Sequence, residues 1–111
     1  RKMFFGKPIK TVSPREVQVG LETGEIVLYD VREAHEHNNA RIEKSILVPL
    51  SKFDTSKITA PEGKKIVLSC QSGMRSGQAA KACDKAGIDV SNLAGGIMAW
   101  HANGLPVKSG A

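Results

Sequence analysis

The residues of this chain best suited to chemistry form a short segment that begins at Cys70. An apolar run at residues 66–68 predicts a buried strand before this cysteine, and a glycine-containing loop and a helix follow it. A cysteine at such a junction faces several backbone N–H groups and the positive end of the helix dipole. We therefore predict a thiolate nucleophile whose pKa lies below the usual value of about 8.5. The residues expected to surround its sulfur and bind an anionic substrate there are Gln71, Ser72, Gly73, Met74, Arg75 and Ser76.

The composition is that of one ordinary globular domain. The 111 residues carry 16 basic and 11 acidic side chains, a net charge of +5. The lysines and arginines are scattered and the chain has only one Trp, one Tyr and three Phe, which argues against a nucleic-acid-binding surface. The apolar runs are far shorter than the roughly 20 residues needed to cross a membrane, so no membrane segment is predicted.

The cysteines and histidines do not have the spacing of a metal site. Cys70 and Cys83 match no zinc-ligand pair, and a helix over residues 75–86 separates them too far for a disulfide. His35 and His37 alternate on a short predicted helix and so do not share a face, which favours solvated side chains. We predict no metal and no cofactor, and the unpaired cysteines favour a reducing, cytoplasmic location.

The apolar runs alternate between strand and helix patterns, which predicts βαβ units and a parallel sheet. The first helix begins at Ser13, with Pro14 and Glu16 completing its start, and ends near Gly24. The other predicted helices span residues 33–39, 75–86 and 97–102, with a short helix or turn at 51–54, and the strands span 26–31, 45–48, 65–70 and 89–93. Asp30 and Cys70 both stand at the carboxyl ends of strands, where such sheets bind ligands.

Several segments, in order along the chain, resemble the motifs of one family. The sequence D-V-R-E at residues 30–33 is similar to D-[VI]-R-[ED], and the loop C-Q-S-G-M-R-S at residues 70–76 is similar to the active-site loop C-R-x-G-x-R-[ST]. Residues 92–100 resemble N-L-x-G-G-[IM]-x-A-W, and residues 104–107 match the closing G-L-P-V. The chain thus resembles the single-domain rhodaneses, a family of sulfurtransferases.

This resemblance implies a three-layer α/β domain over residues 8–107, with terminal extensions at 1–7 and 108–111. Its mostly parallel sheet of about five strands would carry helices on both faces. Cys70 would take a sulfane sulfur from a small anionic donor such as thiosulfate, hold it as a persulfide, and pass it to cyanide or a thiol. Arg75 would add positive charge and fix the loop. Asp30 and Arg32 would support the site as a structural pair rather than contact the substrate.

The departures from the family motif leave alternatives open. Gln71 stands where the family often has an arginine that holds an anionic donor, so the physiological donor could be a protein that delivers a persulfide. A non-catalytic interaction module is a further alternative, as is a soluble domain of a larger, membrane-attached protein. A phosphatase or arsenate reductase is less favoured, because the related phosphatases place five residues between cysteine and arginine, whereas four separate Cys70 from Arg75.

Overall fold

The computed structural model describes residues 8–110, so the extension predicted at residues 1–7 and the terminal Ala111 lie outside the described residues. A single sheet of five strands forms the centre, in the order β1-β5-β4-β2-β3, and every pairing is parallel. The parallel α/β fold predicted from the sequence is confirmed. The strands are β1 (Lys10–Val12), β2 (Ile26–Asp30), β3 (Ile46–Leu47), β4 (Lys65–Ser69) and β5 (Val90–Leu93).

Four α-helices connect or follow these strands. They are α1 (Pro14–Thr23), α2 (Ala34–Asn39), α3 (Met74–Lys85) and α4 (Gly96–Ala102), with 3-10 turns at Leu50–Lys52 and Thr55–Lys57. The start of α1 is the one predicted: Ser13 Oγ accepts from the Glu16 N–H at 3.1 Å, and Glu16 accepts from the Ser13 N–H at 3.0 Å. Among residues 8–110, no helix has the length and apolar character needed to cross a membrane.

Each central strand contributes side chains to two hydrophobic cores, one on each face of the sheet, because successive side chains point to opposite faces. Leu28 and Val67 face the core formed with α1 and α4, whereas Tyr29 and Leu68 face the core under α3. The helices complete these cores with Val17, Ile97 and Trp100 on one face and with Ala79, Ala80 and Cys83 on the other. Helices therefore cover both faces of the sheet, as the resemblance implied.

The structure differs from the sequence-based prediction mainly at the margins of the sheet. The edge strand β1 was not predicted; it forms because Thr11 pairs in register with Asn92 of β5. The helix α3 begins at Met74, one residue earlier than predicted, since Gly73 occupies its N-cap position. In the register of β2 and β4, Asp30 lies beside Ser69. The end of β2 and the residue after β4, Cys70, therefore lie side by side at the carboxyl edge of the sheet.

Candidate active site

The sulfur of Cys70 lies at the centre of a ring of hydrogen-bond donors. Cys70 follows β4 directly and is only 1% exposed. Its Sγ accepts from the backbone N–H of Gly73 at 3.1 Å, from the backbone N–H of Ser76 at 3.3 Å and from the Ser76 hydroxyl at 3.3 Å. Donors aimed at one buried atom stabilise that atom when it carries negative charge.

These hydrogen-bond donors lower the pKa of Cys70 by more than burial raises it. Burial raises the pKa of Cys70, but hydrogen bonds from the side chain and backbone of Ser76 and from the N–H groups of Gly73 and Ser72 lower the pKa below the ordinary value of a cysteine. The direction is the one expected from the sequence. Ser76 acts through both its side chain and its backbone, whereas Gly73 and Ser72 act through their backbone N–H groups alone.

The shape of the loop depends on the N-terminus of α4. The N–H of Ile97 donates to the Cys70 carbonyl at 2.9 Å, and the N–H of Met98 donates to the Gln71 carbonyl at 3.1 Å. Because N–H and C=O point in opposite directions across a trans peptide, carbonyls that face α4 turn the following amides toward the sulfur. Gly96 makes this contact possible, since a Cβ there would lie 2.5 Å from the carbonyl oxygens of both Cys70 and Gln71.

Arg75 does not donate to the sulfur but forms an ion pair with Glu36 of α2. Its Nη1 and Nη2 reach Oε1 and Oε2 of Glu36, each at 2.8 Å. This pairing raises the pKa of Arg75 and lowers the pKa of Glu36 to about 2. The guanidinium thus ties the start of α3 to α2, and its charge also acts on Cys70 through space. This pairing could not be predicted from sequence spacing, because the partners stand 39 positions apart.

Asp30 and Arg32 form a buried pair beside the loop. Arg32 Nε and Nη2 donate to the Asp30 carboxylate at 3.1 and 2.8 Å, and Nη2 also donates to the Ala40 carbonyl at 2.6 Å. The structure therefore brings these two residues together, without a hydrogen bond from either to Cys70. The prediction that His37 is a solvated surface residue is wrong, because its Nδ1 lies 2.9 Å from Asp30 Oδ2 and its side chain is only 17% exposed.

Asn92 is a site residue to which sequence reasoning gave no role. Its Nδ2 donates to the Gly73 carbonyl at 2.9 Å, and its Oδ1 accepts from the Ser76 hydroxyl at 2.5 Å. A signal was present in the sequence, since a polar amide within the strand Val90–Leu93 requires hydrogen-bond partners when it is buried. The identity of those partners depends on the packing of β5 beside the loop.

The outer side of the loop is exposed. Met74, which was expected around the sulfur, is 76% exposed and presents its side chain to the surface. Gln71 lines an open groove of about 420 Å³ together with Arg32, Met98, His101 and Val107. Cys83 is a free cysteine buried in the core. Within residues 8–110, no group of three or more His, Cys, Asp or Glu side chains has the arrangement of a metal site.

Comparison with known proteins agrees with this architecture. A family model for the rhodanese-like domain matches residues 13–103. The chain is 31% identical over 99 residues to the putative sulfurtransferase YtwF of Bacillus subtilis. This alignment covers 88% of this chain and 96% of that protein. The chain is 37% identical over 97 residues to the uncharacterized protein slr1261 of Synechocystis, which covers 86% of this chain. The chain spans about half (54%) of the length of that Synechocystis relative.

A solved structure has the same fold. The crystal structure of a rhodanese-related protein from Thermoplasma volcanium superimposes with a TM-score of 0.79 at 27% identity, over 89% of this chain and 97% of that one. The parallel sheet and the cysteine loop at its carboxyl edge define a rhodanese-like α/β domain. With the family model matching most of its length, the chain belongs to the rhodanese-like domain family.

Proposed function

We propose that this chain is a sulfurtransferase that carries a sulfane sulfur on Cys70. The observation that carries the proposal is the set of donors on Sγ, from the Gly73 N–H and from the N–H and hydroxyl of Ser76. Such donors stabilise a thiolate before reaction and a persulfide anion after it, without a metal or cofactor. The relation to YtwF, which is named a putative sulfurtransferase, supports the same chemistry.

The reaction proceeds in two balanced steps. The Cys70 thiolate attacks the outer sulfur of thiosulfate, a sulfur–sulfur bond forms at Sγ, and the bond within thiosulfate breaks to release sulfite. A thiolate or cyanide then attacks the outer sulfur of the persulfide. The bond between Sγ and the outer sulfur breaks, which releases the sulfurated acceptor, thiocyanate when cyanide is the acceptor, and restores the Cys70 thiolate. Neither step needs an external oxidant or reductant.

Mass spectrometry of the protein after exposure to thiosulfate tests this proposal. The reduced protein should gain the mass of one sulfur atom, located on Cys70 by peptide mapping, and cyanide should remove it with release of thiocyanate. Cys70→Ser should gain nothing. Cys83→Ala, which removes the buried thiol of the core, should load as the parent protein does. Sulfur on Cys83, or none on Cys70 with any donor, would contradict the proposal.

Gln71 favours a second candidate, in which the donor is a protein persulfide. An exposed, uncharged glutamine at this position offers no ion pair to a dianionic donor. The same mass measurement, made with a cysteine desulfurase and cysteine in place of thiosulfate, separates the two candidates. Loading by the desulfurase alone would identify a protein-fed carrier, whereas loading by thiosulfate at low concentration would identify a thiosulfate sulfurtransferase.

A further inference from the structure

The hydroxyl of Ser76 lies between two acceptors although it carries a single proton. Its Oγ is 3.3 Å from Cys70 Sγ and 2.5 Å from Asn92 Oδ1. A serine hydroxyl donates one hydrogen bond and accepts up to two, so it donates to only one of these atoms at a time. Ser76 and Cys70 are almost fully buried, and Asn92 is 9% exposed. The direction of the hydroxyl proton therefore affects how well each acceptor is satisfied.

The orientation of the Asn92 amide follows from its other contact. The Gly73 carbonyl, 2.9 Å away, accepts hydrogen bonds only, so the amide nitrogen must face it and the amide oxygen must face Ser76. Gly73 itself donates its N–H to the sulfur. Asn92 is thus attached to the loop at two points and acts on Cys70 only through other residues.

We propose that the Ser76 hydroxyl is a two-position donor that follows the protonation state of Cys70, and that Asn92 is the positioning residue that holds the first position. When Cys70 is a thiol, Ser76 donates to Asn92 and its oxygen is free to accept from the S–H group. When the thiol proton leaves to a base in the solvent, the Ser76 O–H turns toward Sγ. Only rotation about the Cβ–Oγ bond is required, and no covalent bond of Ser76 forms or breaks.

The charged groups around the sulfur act independently of this hydroxyl. Glu36 and Arg75 are paired with each other, as are Asp30 and Arg32. The charge of Arg75 acts on Cys70 through space, and it remains when the hydroxyl is removed. The charged and histidine side chains on the neighbouring elements that are paired or line the groove beside the loop are Asp30 of β2, Arg32 after it, Glu36 and His37 of α2, Arg75 of α3 and His101 of α4. The other charged or histidine side chains of α2 and α3, which are His35, Lys81, Asp84 and Lys85, are exposed.

A pH titration that follows two signals tests the proposal. The ultraviolet absorbance of the thiolate reports ionisation of Cys70, and subtraction of the Cys70→Ser protein removes the contribution of Cys83. The side-chain amide of Asn92, followed by NMR, should shift with a midpoint at the pKa of Cys70, because its oxygen loses the Ser76 hydrogen bond. In Cys70→Ser the chemical shift of the Asn92 amide should not change over the same pH range. A flat signal in the parent protein overturns the proposal.

Removal of the hydroxyl separates this mechanism from a through-space effect. In Ser76→Ala, the pKa of Cys70 should rise by about one unit, and the Asn92 shift should vanish although the sulfur still titrates. Ser76→Thr keeps a hydroxyl and should keep both features. An unchanged pKa of Cys70 in Ser76→Ala, or an Asn92 shift of full amplitude there, overturns the proposal.

A second variant tests the proposal if Ser76→Ala does not fold. In Asn92→Leu a side chain of similar size offers no acceptor, so the Ser76 hydroxyl stays on Sγ and the pKa of Cys70 should fall, and an unchanged or raised pKa overturns the proposal. These readouts measure ionisation and not sulfur transfer. The inference deepens the proposed function by naming what tunes its nucleophile, yet either can fail without the other.

Discussion

Arg75 and Glu36 form an ion pair that joins α3 to α2 beside the Cys70 loop. The two 2.8 Å contacts between guanidinium and carboxylate link the first turn of α3 to α2. A planar, two-pronged pair of this kind fixes orientation as well as distance. Since the pKa of Glu36 is lowered to about 2, the pair stays charged throughout the neutral range. The start of the helix that shapes the loop is therefore held by an ion pair with a partner outside the loop.

Because of this pair, the free energy of unfolding should decrease as the pH falls into the acidic range. The pKa of Glu36 is about 2 when folded and 4.5 ordinarily, so its contribution is complete above about pH 4.5 and is lost as the pH falls toward 2. We expect Glu36→Gln to remove about 1–2 kcal/mol of the decrease in unfolding free energy between pH 6 and pH 3, a figure reduced for partial exposure. Urea unfolding at both pH values measures this. An equal decrease in both proteins would contradict it.

The central strands and the cysteine loop were predictable because their signals are local. The runs at residues 26–30 and 65–69 are long, apolar and bounded by polar turns, and the capping residues of α1 lie within one turn of each other. The edge strand at Lys10–Val12 has a single, half-buried valine, so its sequence lacks a strand pattern. Its conformation depends on pairing with β5, and it is therefore determined by tertiary structure.

The partners of the loop could not be predicted from spacing. Glu36 and Asn92 reach the loop from α2 and β5, and sequence spacing does not determine which of their side chains face it. The misassignment of His37 has the same cause, because only the docking of α2 places its ring against Asp30. Sequence patterns therefore located the cysteine loop, whereas the residues that surround Cys70 from outside the loop depend on how distant elements pack.

Gly96→Ala should disrupt the loop through a steric clash. The new Cβ would lie 2.5 Å from two carbonyl oxygens of the loop, at a φ of +62°. We expect a loss of roughly 2–4 kcal/mol in stability and a fall of about 100-fold in the rate of sulfur loading, since small displacements at a reacting centre are costly. Gly104→Ala is the matched control, with a φ of +75° and no atom within 4 Å. It should lose only about 1 kcal/mol and no activity.

The control separates backbone strain from displacement of the loop. Thermal or urea unfolding gives the stability of both variants, and the rate of persulfide formation gives the activity. If the two alanine variants lose the same stability and load sulfur equally fast, contact between Gly96 and the loop has no functional effect.

Asp30→Asn should destabilise the protein strongly although it removes only one charge. The carboxylate is buried and neutralises Arg32, so the variant leaves a buried guanidinium without its counter-ion. Breaking one side of such a pair typically costs about 3–5 kcal/mol. Asp89→Asn removes an exposed partner of Lys10, where the carboxylate side chain is 84% exposed, and should change stability by less than about 1 kcal/mol. Similar losses in the two variants, measured by urea unfolding, would disprove a special role for the buried pair.

Gln71→Arg should strengthen the use of thiosulfate if thiosulfate is a donor for this protein. Gln71 is exposed on the loop and lines the groove beside it, so an arginine there offers a charge to the dianion as it approaches. One added ion pair of about 1 kcal/mol would lower KM for thiosulfate roughly fivefold, leave kcat unchanged, and weaken with salt. Gln78→Arg adds the same charge to an exposed position within α3, outside the loop, and should leave KM unchanged. Equal effects of the two substitutions would show that overall charge, and not position 71, attracts the donor.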